Sequence, residues 1–166
     1  MFSVNEAYSM RLWLIVALLI TLIGRASAQS PSMPDPSTLQ PPDNCEGNAA
    51  RLEAVLEKSK EAGENRVTIA IARLGRGEQS RELNRRRLFS VRAYLTAMGL
   101  SSQKLITAEG GRTEGYGRIE VYIGGDLAEV FTVGRCKDLL VGICDNELED
   151  RRRYQLPRRS NVSLCR

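Results

Sequence analysis

Residues 79–98 read QSRELNRRRLFSVRAYLTAM, and the fold follows from how this stretch divides around a helix. At about 100° per residue, with Leu83 as zero, Leu83, Tyr94, Met98, Val91, Leu95 and Leu88 fall within an arc of roughly 140°. That arc is the face an amphipathic helix turns toward a sheet. Gly99 ends it, as glycine commonly ends helices. Arg85, Arg86 and Arg92 fall on the far side and are expected to face water. Arg87 and Asn84 lie inside the apolar arc. A guanidinium there must be paired or reach water, because an unpaired buried charge is costly. Its fork of donors suits a carboxylate. Three partners fit: a protein carboxylate from Glu78, Glu82 or Glu114, a ligand carboxylate, or solvent reached by snorkelling at the arc's edge.

Working outward, Ala49, Leu52, Val55, Leu56 and Ala62 recur at helical spacing between Asn44 and Gly63, which predicts a first helix. RVTIAIA (66–72) alternates Val67, Ile69 and Ile71 against Thr68, Ala70 and Ala72, a β-branched pattern that predicts a strand. Residues 74–77 (LGRG) form a loop. Beyond the second helix, 106–109 is a short strand, Gly110-Gly111 is a turn, and RIEVYI (118–123) reads as a half-buried strand. Gly124-Gly125-Asp126 signals a hairpin back into 128–133. The order α-β-α-β-β, with one more strand, predicts an α+β protein. Its helices pack on one face of a small mixed β-sheet, a two-layer sandwich.

The N-terminus sets the expected compartment. Arg11 precedes the apolar run Leu12–Ile23, and Ala26-Ser27-Ala28 follows Arg25. A basic flank, a short apolar core and an A-x-A site predict a signal peptide over residues 1–28, with no transmembrane span after cleavage. Met10, directly before Arg11, is an alternative start. Five of the six prolines fall within 29–44, a Pro-rich linker. Residues 45–134 form the folded domain, and 135–166 a Cys-containing, Arg-rich extension. Export implies an oxidising compartment, so Cys45, Cys136, Cys144 and Cys165 are expected to form two disulfides. Three pairings are open; Cys136–Cys144 with Cys45–Cys165 is the favoured one.

Composition excludes much. Histidine is absent, which removes His-based nucleophile pairs, His general bases and His metal ligands. The four cysteines contain no C-x-x-C pair, so no metal site and no cofactor are expected. A net charge of +4 and 5% aromatics do not describe a nucleic-acid binder. The Arg clusters at 151–153 and 158–159 stand beside Glu147, Glu149 and Asp150, as in a mixed-charge tail. No enzyme activity is expected.

The stretch from Ile69 to Ile123 resembles the C-terminal, peptidoglycan-binding domain of outer membrane protein A, the OmpA-like family. The family pattern T-D-x-x-G-x-x-x-x-N-x-x-L-S-x-x-R-A meets this chain at Ile71-Ala72, Gly75, Ser80, Leu83-Asn84 and Arg87-Leu88. The helix from Leu83 to Leu95 is similar to L-S-x-R-R-A-x-x-V-x-x-Y-L. Gly99 to Ile106 looks like the family's turn into a strand, and Arg118-Ile119-Glu120-Val121 like its final strand. In that family the Asp of T-D and the helix Arg hold the diaminopimelate of the stem peptide. The resemblance therefore implies a site at Arg87, with Ser80, Asn84 and Gly75 around it, on an exported protein that is periplasmic or outer-membrane-associated. Its partner would be peptidoglycan or an envelope protein. Ala72 stands at the family's Asp position. The alternative reading is a structural or protein-interaction module that no longer binds peptidoglycan.

Overall fold

The structure is a computed structural model that describes residues 41–142, 154–156 and 165. The signal-peptide segment, most of the linker and Cys144 lie outside the described residues. The described residues form α1 (Cys45–Glu61), β1 (Thr68–Arg73), α2 (Arg81–Ala97), β2 (Leu105–Glu109), β3 (Gly117–Ile123) and β4 (Asp126–Val133). This is the α+β arrangement that the hydrophobic spacing predicts.

Local chemistry sets the element ends. Asn44 caps α1, its side chain accepting from the Gly47 N–H at 2.7 Å, and Ser80 caps α2 by accepting from the Glu82 N–H at 3.2 Å. Gly63 and Gly99 follow the two helices with φ of 90° and 101°, a left-handed conformation that glycine adopts without penalty. Gly124 and Gly125 (φ 61° and 103°) make the two-residue turn that pairs Ile123 with Asp126.

The sheet order is β2-β1-β3-β4. β1 and β2 are parallel, joined through α2, while β1–β3 and β3–β4 are antiparallel. One face meets both helices. There Ala70, Ala72, Ile119, Val121 and Phe131 pack with Leu52, Val55 and Leu56 of α1 and Leu88, Val91 and Leu95 of α2. Within β1 the small residues Thr68, Ala70 and Ala72 face the helices, and Ile69, Ile71 and Arg73 face the other way, each only partly buried. The small side chains let α2 sit close to the sheet.

Three expectations are corrected. β3 is buried on both faces rather than half-buried, with Arg118 and Glu120 among its buried residues. It lies between β1 and β4, and its charged groups are paired with one another. Arg86, expected in water, is 5% exposed. The chain after β4 crosses over it, and Asp138 receives its guanidinium on two oxygens at 2.8 and 2.5 Å. Those two bonds and the Asp138 charge, set against burial, hold the Arg86 pKa above its ordinary value. Leu139, Val141 and Tyr154 of the extension join the domain core, Tyr154 edge-on to Tyr94 with ring centroids 5.3 Å apart.

The third correction is the disulfide. Cys136 pairs with Cys165, Cα atoms 5.8 Å apart, and Cys45 is also disulfide-bonded. The favoured pairing of Cys136 with Cys144 and Cys45 with Cys165 is thereby overturned. Cys165 bridges to Glu78 in antiparallel fashion, so the tail end returns to the loop beside Cys136. Proximity in sequence carried no information about that return. Peptide mapping of the unreduced protein will yield a cross-linked fragment holding Cys136 and Cys165. Replacing both by serine will lower stability by about 2–4 kcal/mol in urea unfolding.

Candidate functional site

The site predicted at Arg87 is built where four segments converge: the loop 74–78, the first turns of α2, the start of β3 and the chain leaving β4. Arg87 projects from the sheet-facing side of α2 and is 0% exposed. Its Nη1 and Nη2 donate to Glu78 Oε2 and Oε1 at 2.8 and 2.6 Å, a two-pronged pair, and Glu78 is likewise 0% exposed. Nε donates to the Lys137 carbonyl at 3.1 Å. All three nitrogens are thus engaged within the chain. Glu78 is equally saturated, accepting from the Gly75 N–H at 2.8 Å and the Cys136 N–H at 2.9 Å. Arg112 Nη1 donates to the Glu78 carbonyl.

Of the partners open to Arg87, the structure selects Glu78. Glu82 pairs instead with Arg85 on the outer side of α2. Burial raises the Glu78 pKa, but hydrogen bonds from Arg87, Gly75 and Cys136, together with the Arg87 charge, outweigh it and hold the carboxyl below its ordinary range.

The remaining predicted residues take distinct places. Gly75 serves the backbone. A Cβ there would stand 2.3 Å from the Gly117 nitrogen and 2.7 Å from the Gly115 carbonyl, so only glycine lets loop 74–78 lie against the chain entering β3 while its N–H reaches Glu78. Gly117, not singled out in the sequence, is equally constrained, since a Cβ would meet Arg87 Nη1 at 2.3 Å and Glu78 Oε2 at 2.5 Å. Ser80 is occupied as the α2 cap. Asn84 is 1% exposed, and its Oδ1 has no hydrogen-bond partner.

Asn84 lines a cavity of about 610 Å³ with Leu74, Gln79, Arg81, Glu109, Gly110, Gly111 and Arg112. Arg81 is 90% exposed and stands 4.0 Å from Glu109. A second cleft of about 510 Å³ lies on the other side of the loop, between Arg76, Glu78, Tyr116 and Arg135. Neither cleft reaches a free atom of the Arg87 guanidinium. Among the described residues no three His, Cys, Asp or Glu side chains gather as metal ligands, and no helix is long and apolar enough to cross a membrane.

Comparison of the chain with family models, with curated proteins and with solved structures finds no match. The OmpA-like reading therefore rests on the residues quoted above.

The buried pair sets two expectations. Glu78→Leu or Arg87→Met alone will cost about 3–5 kcal/mol, because each strands a buried partner, whereas the two substitutions combined will cost far less than the two single losses together. A double-mutant cycle in urea reads this directly. A carboxyl whose pKa is depressed in the folded state contributes stability above its unfolded pKa, near 4.5. That contribution disappears as pH falls through the folded value. Unfolding curves collected from pH 7 to 2 will show an acid limb below about pH 4.5 that is shallower in Glu78→Gln.

Proposed function

We propose that this protein is an exported, non-enzymatic module of the cell envelope whose family-type ligand arginine is satisfied from within. On this reading it acts as a structural or protein-interaction domain. The observation that carries the reading is the Glu78–Arg87 pair, sealed from solvent with both carboxylate oxygens engaged. Glu78 stands where the resemblance would place a ligand carboxylate. To bind a stem peptide through Arg87, the domain would have to expel Glu78 and strand it in a buried position, a cost of several kcal/mol. Ala72, at the family's Asp position, offers no charge for a ligand ammonium and is itself buried in the core. The absence of histidine supports the non-enzymatic part, and the N-terminal pattern supports export.

One observation favours a second reading, in which peptidoglycan binding persists beside Arg87 rather than on it. Asn84 presents an unpartnered, buried amide oxygen in a cavity whose rim carries Arg81 and Glu109. A stem peptide offers an N–H donor for the first, a carboxylate for the second and an ammonium for the third.

A single titration separates the two. Adding a soluble, diaminopimelate-containing muropeptide to isotope-labelled protein will leave the amide resonances of residues 72–87 and 109–112 unmoved up to millimolar concentration. Saturable shifts in both segments would replace the first reading by the second.

A further inference from the structure

The face of the sheet turned away from the helices carries a cluster that the Glu78–Arg87 site does not use. Strand alternation puts Arg73 of β1 there with Arg118, Glu120 and Tyr122 of β3, because Ala72, Ile119 and Val121 between them face the helices. The register sets Arg73 opposite Arg118, and Arg118 opposite Thr132. Arg118 Nε donates to Glu120 Oε1 at 2.8 Å, and Arg73 Nε to Glu120 Oε2 at 3.0 Å. The Tyr122 hydroxyl donates to the same Oε2 at 3.1 Å.

Among the described residues one carboxylate therefore serves two guanidinium groups, and the cluster carries an excess of one positive charge. The imbalance falls on Arg118. Its side chain is 0% exposed, and neither Nη1 nor Nη2 has a hydrogen-bond partner. Four N–H groups of a buried cation stand unused. Such groups are few in folded proteins, and each calls for a physical reason. Water could satisfy the N–H groups but would leave the charge uncompensated. In the observed geometry Glu120 meets only the Nε of Arg118 and neither terminal nitrogen. With Nε taken by Glu120, the Nη1 and Nη2 ends form the fork that grips a carboxylate on both oxygens.

The surroundings describe the rest of the ligand. Next along the strands lie Ala108, Ile71 and Val130, level with Glu120. Beyond them Ile106, Ile69, Tyr122 and Leu127 stand side by side across all four strands, with Ile106 48% and Leu127 37% exposed. From Arg118 to this row is about 13 Å along β3. The Arg73 side chain is 19% exposed and Tyr122 is partly exposed, whereas Arg118 and Glu120 between them are buried.

We infer that Arg118 is the centre of an anion site on the outer sheet face, which takes a carboxylate end-on with an apolar body laid toward Ile69, Ile106 and Leu127. The carboxylate comes from a small acid or from the end of a polypeptide. The inference is independent of whether the helix-side cavity binds peptidoglycan.

Thermal unfolding and the arginine Nε–H resonances of the purified protein test it, at ionic strength held constant with sodium chloride. The probes are acetate, acetyl-trileucine with a free C-terminal carboxylate, and the same peptide as its C-terminal amide. A free carboxylate will raise the melting temperature saturably, on the order of 5 °C at saturation, and will move the Arg118 Nε–H resonance. The amide will do neither. A response to the peptide acid alone, or at far lower concentration than to acetate, supports the apolar row and identifies a chain end; a response to acetate as strong as to the peptide acid identifies a small-acid source and overturns the role of the apolar row. Arg118→Met will abolish the response, and Arg118→Lys, which keeps charge but not the fork, will weaken it at least tenfold in midpoint concentration. The inference fails if no carboxylate gives a saturable response in the unmodified protein, or if Arg118→Met responds equally. The measurements on the unmodified protein decide the matter even if the variants do not fold.

Discussion

The ion pair between Glu78 and Arg87 fixes the point at which the loop before α2, α2 itself and the chain leaving β4 meet. Neither group touches water, and each is held by hydrogen bonds from other segments. Loop 74–78, α2, the turn into β3 and the chain leaving β4 are pinned to one point. A pair of this kind adds little net stability compared with an apolar pair of the same volume, because two charges must be stripped of water. What it supplies is position. Any arrangement that moves Cys136 or Gly75 away leaves a buried charge incompletely bonded, so alternative packings of these segments are disfavoured by several kcal/mol. Against a total stability of 5–15 kcal/mol typical of a domain, that is a decisive fraction.

The glycines around the pair express the same constraint in steric form. Gly75 and Gly117 lie where backbone meets backbone, or backbone meets ion pair, closer than a Cβ permits. Cys136 adopts a left-handed φ of 60°, the only non-glycine to do so among the described residues. Its amide donates to Glu78, and its sulfur ties the chain to Cys165. The extension beyond β4 is thereby part of the domain's architecture. It roofs Arg86 through Asp138 and contributes Leu139 and Val141 to the core.

The sheet distributes its chemistry between two faces. Toward the helices it offers mostly small or aliphatic side chains with Phe131 among them, and β1 contributes only Thr68, Ala70 and Ala72, with Thr68 bonded to Ser59 of α1 at 2.9 Å. The larger Ile69 and Ile71 stand on the other face beside a charged cluster with one cation more than its carboxylate can neutralise. Hydrophobicity alone would have turned the isoleucines inward. The closeness of α2 to β1 reverses that order, since an alanine face admits a helix that an isoleucine face would hold off.

Much of this was legible in the sequence because it is local. The helical spacing of 44–63 and 79–98, the stops at Gly63 and Gly99, the Gly124-Gly125 turn and the alternation in β1 and β3 depend on neighbours a few residues away. Helical spacing likewise placed Arg87 and Asn84 on the buried side of α2, since the 3.6-residue repeat is a property of the backbone itself. Tertiary structure decided which carboxylate meets Arg87, why Arg86 is dry, how Cys136 is paired and that Arg118 is buried with two nitrogens unused. Each of these depends on which distant loops and strands come to lie together, and that is set by long-range packing and register, which spacing along the chain does not encode.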